Sequence, residues 1–434
     1  MRCLVTGAYG FIGSEVVAAL LRRGVQVVGA GRDLELGRRL LPGIDWIACD
    51  FNRDVEVAQW LPRLAGIDAV VNCVGVLQPS ARDDAGRIHD QATRALFEAC
   101  AATGIKRIVH VSAVSAEAEM TSAYARSKVK ADAALARLEA SWVIVKPSLV
   151  IGRGSHGGTS LMRGLAGLPF VLPLPGPAKE RFQPIAIDDL ADGIAALVVK
   201  DTPSRVTLHA AGAETASVRD ILVAYRAWLG FPPAREFKIP LPLLRMGLAF
   251  GDVAGWLGHA QAARTTSLTQ MRHDTLVDGD EFARASGVPI KSFTETLQAW
   301  PATLQDRLHA RSFFAVPLLH VTLALFWILT GILSLLSGSF ASAVSTVTDA
   351  GFPTSFARRL VAGASIADIV LGVLFLVPGW VRRAGVAMLV LSAIYLIGLS
   401  AIAPGLWSEH FGPLLKVVPM MAAVLVVMAY QEIR

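Results

Sequence analysis

The sequence has few features of a secreted, metal-binding or nucleic-acid-binding protein. Its 434 residues include only four cysteines, and no two of them form a Cys-x-x-Cys pair. This pattern predicts buried thiols in a reducing compartment, without a disulfide framework or a metal site. No block of lysine and arginine accompanies the formal net charge of +6, so we expect no nucleic-acid partner.

An apolar signal segment is also missing from the start of the sequence. Met1 is followed almost at once by the strand-like run Cys3-Leu4-Val5. We therefore expect the N-terminal domain to remain in the cytoplasm.

Charged residues are scarce in the C-terminal part of the chain. Four segments hold at most one charged residue each: 312–348, 360–381, 384–408 and 412–430. Each approaches or exceeds the roughly 20 apolar residues that a membrane-spanning helix needs. We predict an all-α, four-helix transmembrane bundle over 312–434. This predicts a multi-pass protein of the cell (inner) membrane, in contact with the lipid bilayer, with its C-terminus in the cytoplasm.

Two polar residues lie within these apolar segments. His320 is about eight residues into the first segment and Asp368 about eight into the second, which runs in the opposite direction. We expect them to lie at similar depth, which leaves two roles open. The two side chains meet inside the bundle and line a pocket for a lipid-soluble partner, or Asp368 is protonated or bonds to serine and threonine neighbours and fixes the helix packing.

Before residue 312, strand-like and helix-like segments alternate. The strand-like runs are Cys3–Thr6, Val25–Ala30, Asp45–Ala48, Ala69–Cys73, Arg107–Ser112 and Trp142–Val145. Helical stretches lie between them, among them 11–23, 88–103 and 121–139. This alternation predicts an α/β fold with a Rossmann-type, doubly wound parallel sheet. We assign 1–150 to the nucleotide-binding core and 151–311 to the remainder of that fold and a small substrate lobe.

A glycine-rich turn follows the first strand-like run. Gly7, Gly10 and Gly13 are spaced Gly-x-x-Gly-x-x-Gly between that strand and an amphipathic helix. Gly7 and Gly10 allow a tight turn and a close approach to a pyrophosphate, and Gly13 allows the helix to pack on the strand. Because the helix N-terminus offers unpaired N–H groups, this turn predicts a dinucleotide site.

The end of the second strand distinguishes NAD(H) from NADP(H). An acidic residue there would bind the ribose 2′-hydroxyl of NAD(H), but this sequence has Arg32 followed by Asp33. Arg32 can pair with a 2′-phosphate, so the sequence favours NADP(H), while Asp33 leaves NAD(H) open. Asp50, after the third strand, can accept from the adenine amine, and Gly75 lets the backbone pass the adenosine.

Three residues form a candidate catalytic set. Tyr124 and Lys128 are four residues apart on a predicted helix, which puts both side chains on one face, and Ser112 ends the fifth strand. Hydride transfer to a carbonyl leaves an oxyanion that needs a proton, and a tyrosine with a pKa of about 10 needs a nearby cation to exchange one at neutral pH. We predict Tyr124 as the acid–base, Lys128 as the cation that lowers its pKa and holds the nicotinamide ribose, and Ser112 as a ligand of the substrate oxygen.

These motifs resemble those of the extended and atypical short-chain dehydrogenase/reductases. The resemblance continues at Lys146–Gly152, where Lys146 replaces the family's arginine, and at Gln183–Ala191. It is similar to the subgroup that contains the nucleotide-binding accessory subunit of respiratory complex I, many of whose members have lost the tyrosine–lysine pair. The resemblance implies a cofactor site formed by Gly7, Tyr9, Gly10, Phe11, Ile12, Gly13, Arg32, Asp50, Asn72, Gly75, Tyr124, Lys128 and Pro147.

The C-terminal segment resembles the DoxX-like membrane family through its apolar segments and the turn Gly351-Phe352-Pro353. Three functions follow for the whole chain. The favoured one is a membrane-anchored NAD(P)H-dependent oxidoreductase for a small carbonyl or alcohol substrate, which the membrane domain suggests is lipid-soluble. The second is an NADP(H)-binding module that stabilises a membrane complex, and the third is a sugar-nucleotide epimerase or dehydratase. The Tyr124–Lys128 pair argues against the second function, and Arg32 argues against the third.

We predict that the chain binds NADP(H) more tightly than NAD(H) and that Arg32→Ala removes this preference. A desolvated arginine–phosphate contact contributes about 1.5–3 kcal/mol, or roughly ten- to a hundredfold in affinity. Dissociation constants of both nucleotides for the wild type and the variant test this. Equal affinities that the substitution does not change would contradict the role of Arg32.

Overall fold

The computed structural model describes residues 1–76, 83–116, 123–154, 156–176, 178–200, 203–256, 265, 274–408 and 412–431. It divides the chain into two compact units, Met1–Ala310 and Arg311–Arg434. The first two residues of the helix predicted over 121–139, and the end of the chain after 431, lie outside the described residues.

Seven parallel strands form the central sheet of the first unit. They are β1 (Arg2–Thr6), β2 (Gln26–Gly31), β3 (Asp45–Ala48), β4 (Ala69–Asn72), β5 (Arg107–Val111), β6 (Trp142–Pro147) and β11 (Val206–Ala210). Their order across the sheet is β3-β2-β1-β4-β5-β6-β11. This is the doubly wound order, and it reverses between β1 and β4, where the carboxyl ends of the strands open a crevice. The predicted Rossmann-type sheet is confirmed.

Six short strands form three two-stranded pairs. They are β7 (Val150–Ile151) with β10 (Ile185–Ala186), β8 (Val171–Pro175) with β13 (Arg235–Ile239), and β9 (Arg181–Phe182) with β12 (Ala216–Ser217). The first two pairs are parallel and the third is antiparallel. A separate apolar core lies beside these strands, and it includes Met162, Leu222, Tyr225, Phe293 and Trp300.

Helices cover both faces of the seven-stranded sheet. The helices of the first unit are α1 (Phe11–Arg22), α2 (Leu34–Leu40), α3 (Val57–Trp60), α4 (Thr93–Ala102), α5 (Ala123–Ala136), α6 (Gly157–Ala166), α7 (Ile187–Val199), α8 (Val218–Trp228), α9 (Leu241–Trp256), α10 (Asp280–Ser286) and α11 (Phe293–Ala299). Apolar residues of α1 and α7 pack on one face, and those of α4 and α5 pack on the other. Because both faces are covered, the strands are continuous apolar runs.

The helix predicted over 88–103 has two parts. Arg87–Ala92 is a π-helix, and α4 follows it directly. The Thr93 hydroxyl donates to the carbonyl oxygen of Ile88, five residues earlier, at 2.8 Å. This side-chain hydrogen bond therefore bonds a backbone carbonyl within the wide turn.

The turn between β1 and α1 depends on two glycines. Gly7 has a φ of +66°, a conformation that side chains other than glycine rarely adopt. A Cβ atom on Gly13 would overlap the carbonyl oxygen of Gly7 and lie 2.9 Å from its carbonyl carbon. Glycine at 13 is therefore what lets α1 start directly against the end of β1.

The second unit is helical. Its helices are α12 (Leu304–Ser334, which begins in the first unit), α13 (Ser337–Asp349), α14 (Thr354–Phe375), α15 (Val381–Ile402) and α16 (Val417–Gln431). Helices α12 and α15 are long and apolar enough to span a membrane, and only 28% and 17% of their apolar windows are buried. A core helix of a soluble protein would be mostly buried, so these exposed apolar faces favour lipid contact.

The structure differs from the expected spans in detail. The segment 312–348, expected as one span, is divided between α12 and α13 near Leu336. The 15 residues of α16 extend about 22 Å, less than the roughly 30 Å of a bilayer core. The four-span topology stays a prediction.

His320 and Asp368 do not meet as expected. The Nε2 atom of His320 lies 2.7 Å from the carbonyl oxygen of Phe375, while the Tyr395 hydroxyl donates to Asp368 at 3.0 Å. Helices α12 and α14 cross closely, because Gly372 lies directly on the backbone of Ala324. This crossing places His320 beside Phe375, which lies about two turns from Asp368 along α14.

We predict that Gly13→Ala destabilises the first unit by about 1–3 kcal/mol or more, because α1 must move away from β1 to admit the Cβ atom. Thermal unfolding of the two variants Gly13→Ala and Gly158→Ala tests this. A Cβ atom on Gly158, in α6, would contact nothing within 4 Å, so that variant is the control. Equal unfolding midpoints for both variants would show that the close packing at Gly13 is not required.

Candidate nucleotide and catalytic site

The glycine-rich turn has the geometry of a pyrophosphate site. Gly7 accepts from the N–H of Gly10 at 2.9 Å, and a Cβ atom on Gly7 would lie 3.2 Å from the backbone of Cys73 and Val74, just after β4. The first N–H groups of α1, from Phe11 to Gly13, have no partner within the helix. A dinucleotide fits here, because Gly7 and Gly10 have no side chain to block it and the N–H groups attract phosphate.

Tyr9 closes the end of β2. Its ring lies directly on Gly31, and its centroid is 5.8 Å from that of Trp46. Its hydroxyl accepts from the backbone N–H groups of Arg32 at 3.2 Å and Asp33 at 3.3 Å. Tyr9 therefore fixes the backbone at the point where the adenosine ribose is expected.

The side chains after β2 have different roles from one another. The Asp33 carboxylate caps α2 by accepting from the N–H of Leu36 at 2.9 Å. The Arg32 guanidinium pairs with Asp83 at 2.5 Å, and its side chain is half exposed. Asp50 accepts from the N–H of Asn52 at 3.0 Å. Arg32 and Asp33 are both exposed, but the Asp33 carboxylate is engaged in the helix cap, and Arg32 supplies the positive charge at the end of β2.

Lys128 is buried at the carboxyl ends of β4 and β5. Its Nζ donates to the carbonyl oxygen of Val111 at 3.0 Å and of Val74 at 3.4 Å, and the residue is 3% exposed. Gly75 lies beside it, since a Cβ atom there would be 3.5 Å from Nζ. Burial lowers the pKa of Lys128 to about 8. This places one ammonium group beside the backbone of Val74, which also borders Gly7 of the glycine-rich turn.

Tyr124 lies one turn before Lys128 on α5, against the ring of His89 at 5.4 Å between centroids. Within the described residues, its hydroxyl has no hydrogen-bond partner. Burial, and then the negative charge of Asp132, raise the pKa of Tyr124 to about 12. The expectation that Lys128 lowers this pKa is not met in the structure, because the ammonium group is directed to backbone carbonyls.

His89 is a site residue that the sequence reasoning missed. Its Nε2 accepts from the N–H of Val76 at 2.8 Å, so its Nδ1 carries the proton and donates to Ser127 at 2.9 Å. Burial and the charge of Lys128 lower the pKa of His89 to about 3, which keeps it neutral. It joins the π-helix to the end of β4 and to α5. A lone histidine in a helical stretch gave no signal for this role.

Ser112 is held by a second missed residue, Asp132. The Ser112 hydroxyl donates to Asp132 at 2.9 Å, and the Lys146 ammonium lies 3.2 Å from the same carboxylate. Asp132 is four residues after Lys128, on the same helix face, and this spacing was the available signal. With its proton directed to Asp132, the Ser112 oxygen is free to accept a hydrogen bond from a substrate hydroxyl.

A buried polar chain continues behind Ser112. Asn72 accepts from Thr6 at 2.7 Å and from the N–H of Val74 at 3.2 Å, so its amide NH₂ faces His110 Nδ1 at 3.2 Å. His110 therefore carries its proton on Nε2, which lies 3.5 Å from Asp132. Asn72, expected at the cofactor, is wholly buried and joins β1, β4 and β5.

The other predicted residues frame the crevice. The ring of Phe11 packs on Gly152 and lies 4.7 Å from the ring of His156, while Ile12 packs on the core beneath the sheet. Pro147 ends β6, and its carbonyl accepts from the N–H of Val114 at 3.0 Å.

A separate cavity of about 500 Å³ lies in the lobe formed by the short strands. Its lining includes the cations Lys179, Arg181, Arg219 and Lys238 and the acids Asp220 and Glu236. Arg219 makes two hydrogen bonds to Glu236, and Arg181 pairs with Asp274 at 2.8 Å. Its cationic lining suits an anionic ligand.

We predict that Lys128→Met raises the unfolding midpoint at pH 7 by a few degrees and weakens nucleotide binding. A pKa lowered from 10.5 to about 8 means that folding disfavours the buried cation by about 3 kcal/mol. Because the folded pKa is the lower one, this cost is present at pH 7 and disappears as the pH rises from about 8 towards 10.5. Unfolding curves at pH 7 and pH 10 should show the variant's advantage only at pH 7.

Lys130→Met is the matched control, since the Lys130 side chain on the same helix is 68% exposed. It should change neither the midpoint nor nucleotide binding. A lower midpoint for Lys128→Met at pH 7 would show that the hydrogen bonds to Val74 and Val111 outweigh the burial of the charge.

Part of each unit matches a known protein family. The sequence model of the NAD dependent epimerase/dehydratase family matches residues 3–207, and that of the DoxX-like family matches residues 324–425. The chain is 30% identical to a 3-diazoavenalumate denitrifying reductase from Streptomyces sp over 270 residues, which are 56% of this chain and 86% of that protein.

Two further relatives are matched over about half of their length. A ceramide reductase from Caulobacter vibrioides is 29% identical over 39% of this chain and 52% of its own. The mitochondrial NADH-ubiquinone oxidoreductase 40 kDa subunit from Neurospora crassa is 23% identical over 50% of this chain and 57% of its own. The latter is consistent with the predicted similarity to the complex I subgroup.

The fold is also that of solved enzymes. The structure of UDP-glucuronic acid 4-epimerase from Bacillus cereus superposes with a TM-score of 0.51 and 20% identity, covering 72% of this chain and all of that one. The predicted enzyme class, NAD-dependent oxidoreductase with a nicotinamide cofactor, agrees with these matches. The chain belongs to the NAD dependent epimerase/dehydratase family and carries a DoxX-like domain at its C-terminal end.

Proposed function

We propose that the protein is a membrane-anchored, NADP(H)-preferring dehydrogenase/reductase that interconverts an alcohol and a carbonyl. The observation that carries this proposal is the buried ammonium group of Lys128 at the ends of β4 and β5. Tyr124 lies one helical turn away and Ser112 follows directly after Val111, whose carbonyl the ammonium contacts. A binding module would have no need to bury an ammonium group beside a tyrosine and a serine there.

The residues account for the proton in such a reaction. The bound nicotinamide supplies or accepts the hydride. In the direction of reduction, the Tyr124 hydroxyl donates its proton to the substrate oxygen. Lys128, which is directed to backbone carbonyls, would hold the nicotinamide ribose. A pKa of about 12 keeps Tyr124 protonated at neutral pH, which suits it to act as the acid. In the direction of oxidation, the Tyr124 phenolate accepts the proton of the substrate alcohol, so the raised pKa of Tyr124 favours reduction at neutral pH.

Two observations support a lipophilic substrate. The DoxX-like domain contains two helices apolar enough to span a membrane, so a substrate dissolved in the bilayer would be within reach of the chain. One relative is named for the reduction of ceramide, a lipid. We further propose that the first unit and the C-terminus lie on the cytoplasmic side, where the nicotinamide cofactor is available.

Conversion of a sugar nucleotide is the second candidate function. The cavity lined by Lys179, Arg181, Arg219 and Lys238 favours it, because cations of this kind can hold a diphosphate. The Bacillus cereus epimerase is named for a substrate of this class. Both candidate functions use the site around Lys128. Only the second would place the diphosphate of a sugar nucleotide in the cavity of the lobe.

We predict that Tyr124→Phe lowers turnover by about 10²- to 10⁴-fold and leaves the nucleotide dissociation constant nearly unchanged, as expected for loss of a general acid. The assay is anaerobic oxidation of NADPH by the purified full chain with a panel of lipophilic ketones and quinones. UDP-sugars form a second arm, with product analysis for epimerisation.

Tyr225→Phe is the control, since Tyr225 is buried in the lobe core. It should leave turnover unchanged. Full turnover in Tyr124→Phe would contradict the acid–base assignment. Tight nucleotide binding without turnover of any substrate, and with no effect of Tyr124→Phe, would favour a structural module of a membrane complex.

A further inference from the structure

In NAD(H)-binding sites of this fold, an acidic residue at the end of β2 accepts from the ribose 2′-hydroxyl. Asp33 is there, but its carboxylate caps α2 through the N–H of Leu36. A carboxylate nevertheless lies at this place, because Asp83 reaches the Arg32 guanidinium from the segment that precedes the π-helix. The acid and the base at the end of β2 thus come from two different parts of the chain.

Asp83 is held by more than the ion pair. The side-chain NH₂ group of Asn52, in the turn after β3, donates to the same carboxylate oxygen at 3.3 Å, and the side-chain oxygen of Asn52 accepts from the N–H of Asp84 at 3.0 Å. The Asp83 side chain is 19% exposed and that of Arg32 is 50% exposed. The carboxylate is therefore fixed and partly buried, while the guanidinium keeps an open side for a ligand.

The two groups prefer opposite forms of the ribose. A guanidinium pairs with a 2′-phosphate, whereas a carboxylate accepts from a 2′-hydroxyl and repels a phosphate. We propose that the Arg32–Asp83 pair sets the cofactor selectivity: Arg32 favours NADP(H), and Asp83 limits that preference and permits NAD(H). This inference rests on the proposed function, in which the glycine-rich turn binds a nicotinamide dinucleotide with its adenosine ribose at the end of β2.

Asp83→Asn tests the inference, because it keeps the shape and the contact with Asn52 but removes the negative charge. We expect the variant to bind NADPH about 3- to 10-fold more tightly, as is typical for removal of one partly exposed like charge. NADH binding should be unchanged or weaker. Dissociation constants are measured by nucleotide fluorescence on the full chain in detergent, in low and high salt. The gain for NADPH should shrink in high salt.

Asp45→Asn is the matched control. It breaks an exposed aspartate–arginine pair, Asp45 with Arg2 at 3.3 Å, at the amino ends of the strands and so far from the predicted ribose site. It should change neither dissociation constant. Asp83→Ala serves as a second variant if Asp83→Asn does not fold, and it should shift the NADPH/NADH ratio in the same direction.

The outcomes separate this inference from the proposed function. Nucleotide binding with an unchanged NADPH/NADH ratio in both Asp83 variants overturns the selectivity role alone. Equal loss of affinity for both nucleotides makes Asp83 a scaffold for the turn, and also overturns it. A wild-type chain that binds neither nucleotide overturns both the inference and the proposed function.

Discussion

A single buried ammonium group, that of Lys128, constrains the chemistry of its surroundings. A cation removed from water disfavours further positive charge nearby and requires acceptors with fixed positions. Two backbone carbonyls, at the ends of β4 and β5, supply them. Two histidines close to it, His89 and His110, have lowered pKa values and therefore remain neutral. The negative charge of Asp132 lies on the same helix face and is balanced on its other side by Lys146.

The sequence predicted the sheet, and it offered candidate site positions, because the signals of both are local. Continuous apolar runs, the spacing of Gly7, Gly10 and Gly13, and the four-residue step from Tyr124 to Lys128 each lie within one element and its neighbour. The assigned roles of these site residues stay predictions. His89 and Asp83 could not be found in this way, because each acts on a residue that is distant in sequence. Asp132 does have a local signal, its four-residue step from Lys128 on the same helix face. The lowered pKa expected for Tyr124 failed for the same reason, since it depends on where the Lys128 ammonium points.

Sequence reasoning was less accurate for the second unit. Apolar composition predicts that a segment can enter a membrane, but it does not determine where a helix ends. The break near Leu336 lies beside Ser337-Gly338-Ser339, a turn signal that a count of charged residues does not register. Depth along two helices was likewise insufficient to pair His320 with Asp368. The close crossing at Gly372 and the Tyr395 hydroxyl determine their partners instead.

The π-helix at Arg87–Ala92 has a consequence for the directions in which its neighbours face. A π-turn contains an additional residue, and each residue of an α-helix advances the side chain by about 100° around the axis. The residues before the wide turn are therefore rotated relative to those of α4. This offset allows α4 to bury Leu96 and Phe97 in the core while His89 is directed towards Val76 and Ser127. Deleting one residue within 90–92, between His89 and α4, would restore a regular helix and turn His89 away from both.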